Sequence, residues 1–260
     1  MQNFGLISII MAAYNAERTI GQAIESVLNQ KYQNWELIIV DDCAKDRTAA
    51  VINQYQDSRI IKLKNEKNMG VFQTRLRALQ EAKGNWVAVL DSDDAWTPDK
   101  LEKQVIHQQK TNSDLIYTGS AFMQSNGTII PWILHVPETV SYRKLLRQNL
   151  ISNSSVLVRK SIYQSYQIPG ENMHDDYACW LGCLRAGALA TGIDEALLIY
   201  RLSENSKTGN KIKSAIMNWN TYRATGLGWP ASAWYMMFYT INGLMKYRKL
   251  KMKQRIERAL

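Results

Sequence analysis

Leu6-Ile7-Ser8-Ile9-Ile10-Met11 and, one helical interval later, Trp35-Glu36-Leu37-Ile38-Ile39-Val40 running into Asp41-Asp42 decide the fold. Both runs are apolar nearly throughout, as strands covered on both faces are. Between them Ile20, Ala23, Ile24, Val27 and Leu28 recur at helical spacing, which predicts a helix over residues 16–30. The three pieces make a βαβ unit. Working outward, the pattern predicts a helix over 46–55, a strand at Ile60-Ile61-Lys62-Leu63, a helix over 71–82 and a strand at Trp86-Val87-Ala88-Val89-Leu90. Apolar strands alternating with helices imply an α/β fold with a mostly parallel sheet flanked by helices. Such sheets bind ligands beyond the carboxyl ends of their strands.

The polar clusters stand at those ends: Tyr14-Asn15 after the first strand, Asp41-Asp42 after the second and Asp91-Ser92-Asp93-Asp94 after the fourth. Aspartates so close together repel one another and resist desolvation, so a shared cation or hydrogen-bond donors should compensate them. Asp-x-Asp in a loop after a strand can hold a hard divalent ion whose remaining positions are open to diphosphate oxygens. The competing reading is that Asp93 or Asp94 caps a helix starting near Thr97-Pro98. Asp175-Asp176 likewise opens a helical stretch, Tyr177 to Arg185, where the helix dipole would favour acidic residues whatever their chemistry.

Composition narrows the class. With 260 residues, 46% hydrophobic and 10% aromatic, the chain suits one catalytic domain with an appendage. Three cysteines, Cys43, Cys179 and Cys183, lack CxxC spacing, which argues against a disulfide framework or structural zinc and fits a reducing cytoplasm. The amino terminus reads as a first strand, not a signal peptide. Net charge is +9, yet from Asn205 onward eleven basic residues face only Glu257, so the remainder is near neutral, unlike a uniformly basic nucleic-acid binder. Within that tail, residues 229–245 are rich in aromatics and methionine, and Lys246, Arg248, Lys249, Lys251, Lys253 and Arg255 follow at once. This suggests an interfacial membrane anchor, or a helix that packs on the catalytic domain or into an oligomer. His107, His135 and His174 have no partners at metal spacing and are assigned no chemistry, and Cys179 and Cys183 read as small core residues. Trp132 could stack on a sugar or fill a core.

Three blocks in order, residues 8–17 (Ser8 to Glu17), 23–30 (Ala23 to Gln30) and Ile38-Ile39-Val40-Asp41-Asp42, closely resemble the opening of family 2 glycosyltransferases with the GT-A fold. The resemblance continues through Asn68-Met69-Gly70-Val71, Arg75, Ala82-Lys83-Gly84, residues 89–98 and Asp175-Asp176-Tyr177 with Trp180-Leu181, covering roughly the first two hundred residues. It implies a Rossmann-like catalytic domain over 1–203, with a nucleotide-sugar-binding part at 1–98 and an acceptor-binding part at 99–203, and a basic helical tail at 204–260. It also implies that Ala13, Tyr14, Glu17, Asp41 and Asp42 line a base pocket, with Asp41 accepting from a uracil imide. Arg75 would stand beside the donor, Asp91 and Ser92 near the ribose, Asp93 on Mn²⁺ or Mg²⁺, and Asp94 and Asp175 in support. Asp176 would be the catalytic base.

The activity implied is inverting transfer from a UDP-sugar to the hydroxyl of a glycan or lipid-linked glycan, in bacterial lipopolysaccharide, O-antigen or capsule assembly. The place implied is the cytoplasmic face of the inner membrane, held peripherally. Departures are Leu76 where relatives have asparagine, Cys43-Ala44-Lys45 where they have Gly-Ser-Thr, Asp175 for glutamate, and Tyr200-Arg201-Leu202-Ser203-Glu204-Asn205-Ser206 where many have a histidine ligand. Alternatives are a sugar-phosphate nucleotidyltransferase, which would carry a glycine-rich loop where Ala12-Ala13-Tyr14-Asn15 stands, and a non-enzymatic lipid- or nucleic-acid-binding module, which leaves the aspartates unexplained.

Overall fold

The computed structural model of the chain describes residues 4–168, 170, 172–202 and 211–257. Its first seven elements alternate as the apolar pattern predicts: β1 (Ile7–Ala13), α1 (Ile20–Leu28), β2 (Trp35–Asp41), α2 (Thr48–Asn53), β3 (Ile60–Lys64), α3 (Val71–Glu81) and β4 (Trp86–Val89). Then come β5 (Ala95–Trp96), α4 (Lys100–Thr111), β6 (Leu115–Met123), β7 (Ile129–Leu134), α5 (Tyr142–Arg147), β8 (Leu157–Arg159), α6 (Lys160–Ser165), α7 (Asp175–Arg185), β9 (Ala190–Arg201), α8 (Lys211–Ala224) and α9 (Trp229–Glu257).

The nine strands form one sheet in the order β3-β2-β1-β4-β8-β6-β9-β5, with β7 added to β6. β3, β2, β1 and β4 are mutually parallel, and so are β6 and β9, whereas β8 runs antiparallel to β4 and β6. The chain grows outward from β1 to β3 and then returns to the other side of β1 as β4. That reversal is a switch point, where the flanking loops diverge and leave a crevice.

Residues of both strand faces are buried. Ile7, Ile9, Met11, Leu37 and Ile39 join Ile20, Ala23, Ile24 and Val27 of α1 in one core. Each such aliphatic side chain contributes roughly 1.5–3 kcal/mol on burial. Ser8 and Glu36 are the polar exceptions: the Ser8 hydroxyl donates to Glu36 Oε1 at 2.6 Å, while Gly84 N donates to Ser8 Oγ and Lys83 N to Glu36. A Cβ on Gly84 would sit 2.4 Å from Leu6 O, so the Lys83-Gly84 signature is a packing requirement at the start of β4.

Two boundaries differ from the periodicity. α1 begins at Ile20, not residue 16; the amides of Ala16 and Glu17 before it are bound by Thr48 Oγ1 at the start of α2 and Asp46 Oδ2 in the loop after β2. The N-cap of α4 is Asp99, so neither Asp93 nor Asp94 caps that helix.

By its contacts the chain resolves into two compact units, one of residues 1–139, 151–165 and 188–203, the other of 140–150, 166–187 and 204–260. The first holds the whole sheet. In the second, α7 packs with α5 and α8, and α9 with α5 and α8. Its centre is aromatic: the Tyr177 ring lies 6.2 Å from Tyr222 and 6.1 Å from Tyr239, and its hydroxyl donates to Leu145 O at 2.7 Å.

Candidate active site

At the switch point, parallel pairing sets Ala13 beside Asp41 at the carboxyl ends of β1 and β2. Ala13 is buried and Tyr14 is 44% exposed. Asn15 takes the left-handed region at φ 48° and accepts from Lys45 N at 2.9 Å, while Glu17 Oε2 accepts from Arg47 N at 2.9 Å. These contacts tie the loop after β1 to the loop after β2. Asp41 is buried; its Oδ1 accepts from Ala44 N at 2.9 Å, and its Oδ2 is buried without a hydrogen-bond partner. A buried carboxylate oxygen left without a donor costs about 1–3 kcal/mol, so it marks a place prepared for one.

Asp42 is engaged within the chain. Its Oδ1 accepts from Asn65 Nδ2 and Met69 N, both at 2.7 Å, and its Oδ2 from Gly70 N at 2.9 Å. Gly70, at φ 82°, is the N-cap of α3, so Asp42 fixes where that helix starts. One turn in, Arg75 reaches Asp91 Oδ1 at 2.5 Å, and both side chains are largely withdrawn from solvent. Asp42 thus holds the start of the helix from which Arg75 meets Asp91.

The loop after β4 gathers three carboxylates. Asp91 also receives Asn153 Nδ2 at 3.2 Å, and its own amide donates to Ser154 Oγ at 3.1 Å. Asp94 is buried and accepts from Arg201 N at 3.0 Å, with the Ser154 hydroxyl as a further partner. Arg201 Nε donates to Asp93 O at 2.9 Å. Burial, then the charge of Asp91, pushes the Asp93 carboxyl up to about 6, with Arg201 and Arg75 offsetting only part of this. Burial and the charges of Asp93 and Asp91 raise Asp94 as well. Three carboxyls thus share this loop with two arginines, and burial works against ionising Asp93 and Asp94. Ser92 sits between these aspartates and is half-buried.

A divalent cation fits this group, since carboxylate oxygens are hard donors and burial with neighbouring negative charge leaves the ionised forms of both Asp93 and Asp94 undercompensated. Among the described residues no three His, Cys, Asp or Glu side chains are grouped as a complete ligand set. One or two carboxylates with diphosphate and water is the arrangement that leaves positions open to a substrate. Of the segment Tyr200-Arg201-Leu202-Ser203-Glu204-Asn205-Ser206, Ser203 to Ser206 lie outside the described residues.

Asn153, Ser154 and Arg201 are participants that motif reading had not assigned to the site. Residues 153–155 form a single 3₁₀ turn before β8, and Arg201 ends β9, which pairs with β5 just beyond Asp94. The small polar run Ser152-Asn153-Ser154-Ser155 and the Tyr200-Arg201 pair were the available signals. His107 contacts Thr191 Oγ1 at 3.0 Å and His135 the Asp194 carboxylate at 3.0 Å, both away from these loops in sequence. Trp132 stacks on Phe122 at 4.9 Å.

Asp175 and Asp176 belong to the second unit, in the first turn of α7. Its N-cap is His174, whose amide donates to Thr221 Oγ1 at 3.0 Å. The positive helix end favours both carboxylates. Tyr177, Trp180 and Leu181 behind them are fully buried, which anchors the pair's backbone. Cys179 and Cys183 are buried too, and burial pushes the Cys179 thiol well up, so it is a packing residue.

Comparison with known proteins agrees with this geometry. The model of the family described as Glycosyl transferase family 2 matches residues 8–166. A Bacillus subtilis (strain 168) glycosyltransferase named for teichuronic acid biosynthesis, TuaG, is 36% identical over 244 residues, covering 93% of this chain and 97% of that protein. The Escherichia coli UDP-Glc:alpha-D-GlcNAc-diphosphoundecaprenol beta-1,3-glucosyltransferase WfgD is 33% identical over 243 residues, covering 93% and 95%. Among solved structures, S. aureus TarS 1–349 in complex with UDP-GlcNAc superposes with a TM-score of 0.70 at 19% identity, covering 88% of this chain and 70% of that one. The fold is that of the GT-A glycosyltransferases. A sheet with acidic loops at its switch point, a family model spanning the same loops and relatives matched almost end to end lead to one statement: the chain is a glycosyltransferase and belongs to glycosyl transferase family 2.

Proposed function

We propose that the chain transfers a hexosyl or N-acetylhexosaminyl group from a UDP-sugar to a hydroxyl of a glycan acceptor carried on a lipid, in the assembly of a bacterial surface polysaccharide. The observation that carries this reading is the pair of uncompensated carboxylates at the switch point, Asp41 Oδ2 and Asp93, in a chain of this family. Asp41 offers an acceptor to the imide N–H of uracil, with Ala13, Tyr14 and Glu17 on the same loops and Asp42 holding the frame. Names among the relatives support the substrates: WfgD is named for UDP-Glc and a diphosphoundecaprenol acceptor, and the TarS structure holds UDP-GlcNAc.

Asp93, supported by Asp91 and Asp94, would hold Mn²⁺ or Mg²⁺, which supplies positive charge for the donor diphosphate. Arg75 keeps Asp91 oriented, and Asp91 with Ser92 faces the ribose side. Asp176, with Asp175 beside it, takes the proton of the acceptor hydroxyl as that oxygen forms its bond to the anomeric carbon. The bond from that carbon to the diphosphate breaks, and UDP leaves with its electrons. One displacement inverts the anomer, so an α-linked donor gives a β-glycoside. Residues 1–98 serve the donor and 99–203 the acceptor in this reading. A lipid-linked acceptor places the work at the cytoplasmic face of the inner membrane, with residues 204–260 as the peripheral contact.

The test is turnover of UDP-glucose, UDP-galactose and their N-acetyl forms, with UDP release as readout. Asp176→Asn is expected to lower turnover by roughly 10²-fold or more while UDP affinity stays within about twofold. A parallel loss of UDP affinity would assign Asp176 to donor binding or structure instead.

A further inference from the structure

The second unit leaves apolar surface uncovered on two successive helices. α8 buries Met217, Asn218, Thr221 and Tyr222 but exposes Ile212 (75%) and Ile216, one turn apart. α9 exposes Trp234, Met237 and Ile241, whose spacing of three and four sets them in one stripe. Where the helices follow one another, Trp229 is exposed and meets Trp219 edge-on at 5.1 Å. A shallow groove of about 400 Å³ runs beside α8, lined by Asn172, Ile212, Lys213, Ile216, Met217 and Asn220. Apolar side chains exposed in a stripe on each of two successive helices, with Trp219 against Trp229 where they join, mark a contact with something else.

Charge says what that something is. Beyond Ile241 the same helix continues through Lys246, Arg248, Lys249, Lys251, Lys253 and Arg255, with no acidic residue before Glu257. Two copies meeting through such helices would bring these charges together, whereas an anionic headgroup layer accepts them. Tryptophans beside aliphatic side chains, continued by lysines and arginines, suit the boundary between headgroups and acyl chains. Among the described residues no helix is long and apolar enough to cross a membrane.

We propose that α8 and α9 together form a docking face for an anionic lipid surface, with Ile212, Ile216, Trp234, Met237 and Ile241 entering the acyl boundary and the basic end of α9 lying on the headgroups. The proposal deepens, and rests on, the reading of the acceptor as lipid-linked, because docking holds the enzyme where such an acceptor is presented.

The experiment uses the full chain and vesicles of phosphatidylcholine with or without about one-third phosphatidylglycerol. Sedimentation should show binding to the anionic vesicles alone, weakened about tenfold or more between 0.1 and 0.5 M salt. Three variants, Trp234→Ser/Met237→Ser/Ile241→Ser, Ile212→Ser/Ile216→Ser and Lys249→Glu/Lys251→Glu/Lys253→Glu, should each bind about tenfold more weakly. Their UDP release with a water-soluble acceptor should match wild type. The charge variant leaves the apolar face intact and decides the matter if a serine variant melts early. Failure of the wild type to bind anionic vesicles overturns the proposal, as does wild-type binding by the variants. So does a dimer, seen by sedimentation velocity, that the serine variants convert to monomer without loss of vesicle binding. Vesicle binding without UDP release from any UDP-sugar would instead sink the catalytic reading and leave the docking face standing.

Discussion

Cys43 holds the left-handed region at φ 59°, directly after Asp42. A non-glycine residue there carries roughly 1–2 kcal/mol of backbone strain, partly offset by the freedom glycine would have when unfolded. Cys43→Gly is therefore expected to stabilise the chain by about 1 kcal/mol, a rise of roughly 2–4 °C in melting midpoint, with UDP affinity unchanged. Calorimetry checks it, and an unchanged or lowered midpoint contradicts the strain. Asp93 stores strain of another kind. Burial and the charge of Asp91 push its folded carboxyl up to about 6 from an ordinary value of 3.8, so the folded chain holds more protons between those values. Stability from this group is greatest below the unfolded value, falls as pH rises through the window, and above about 6 the ionised carboxylate is a standing cost on the order of 2–3 kcal/mol. Asp93→Asn should therefore melt higher than wild type in metal-free buffer at pH 7.5, with the gap closing toward pH 4. An equal gap at both pH values would mean that the charge is already compensated.

Among the elements, α4 shows how the aspartate loop is supported from beneath. Lys100 is fully buried, its Nζ 3.9 Å from the Trp96 ring centroid and 2.8 Å from Gln104 Oε1. Gln104 Nε2 donates to the carbonyls of Ile116 and Ser155, and Trp96 Nε1 to that of Ser154. Burial holds Lys100 well below its ordinary value, so the folded chain binds fewer protons than the unfolded one up to about 10.5, and stability rises with pH across that interval. Lys100→Met should be more stable than wild type at pH 7, and the difference should shrink by pH 9.5 in urea titrations. A difference independent of pH would mean that the lysine is charged and compensated.

Periodicity made the strands and helices of the first half readable, because residues 6–90 bury whole faces. It misplaced the start of α1, where side chains from the loop after β2 and the start of α2 bind the amides just before the helix. It also could not join Asn153, Ser154 and Arg201 to Asp91 and Asp94, since those contacts depend on β8 and β9 entering the sheet out of chain order. Asp42 was legible as acidic and close to the site. Its three hydrogen bonds to Asn65 and the loop before α3 were not, because two of the donors are backbone amides that any sequence would supply.

For the whole molecule, the sheet unit carries the acidic loops and the helical unit carries Asp175, Asp176 and the exposed faces of α8 and α9. On the proposed reading the carboxylates at the end of β4 exist for a cation that serves a UDP-sugar. That reading is tested most directly by UDP release from the preferred UDP-sugar, measured with Mn²⁺, with chelator, and with chelator followed by excess Mn²⁺, for wild type and Asp93→Ala. Chelator is expected to abolish release and added metal to restore it, with a loss of at least about 10²-fold in a folded Asp93→Ala. Full turnover in chelator, or in Asp93→Ala, would contradict it.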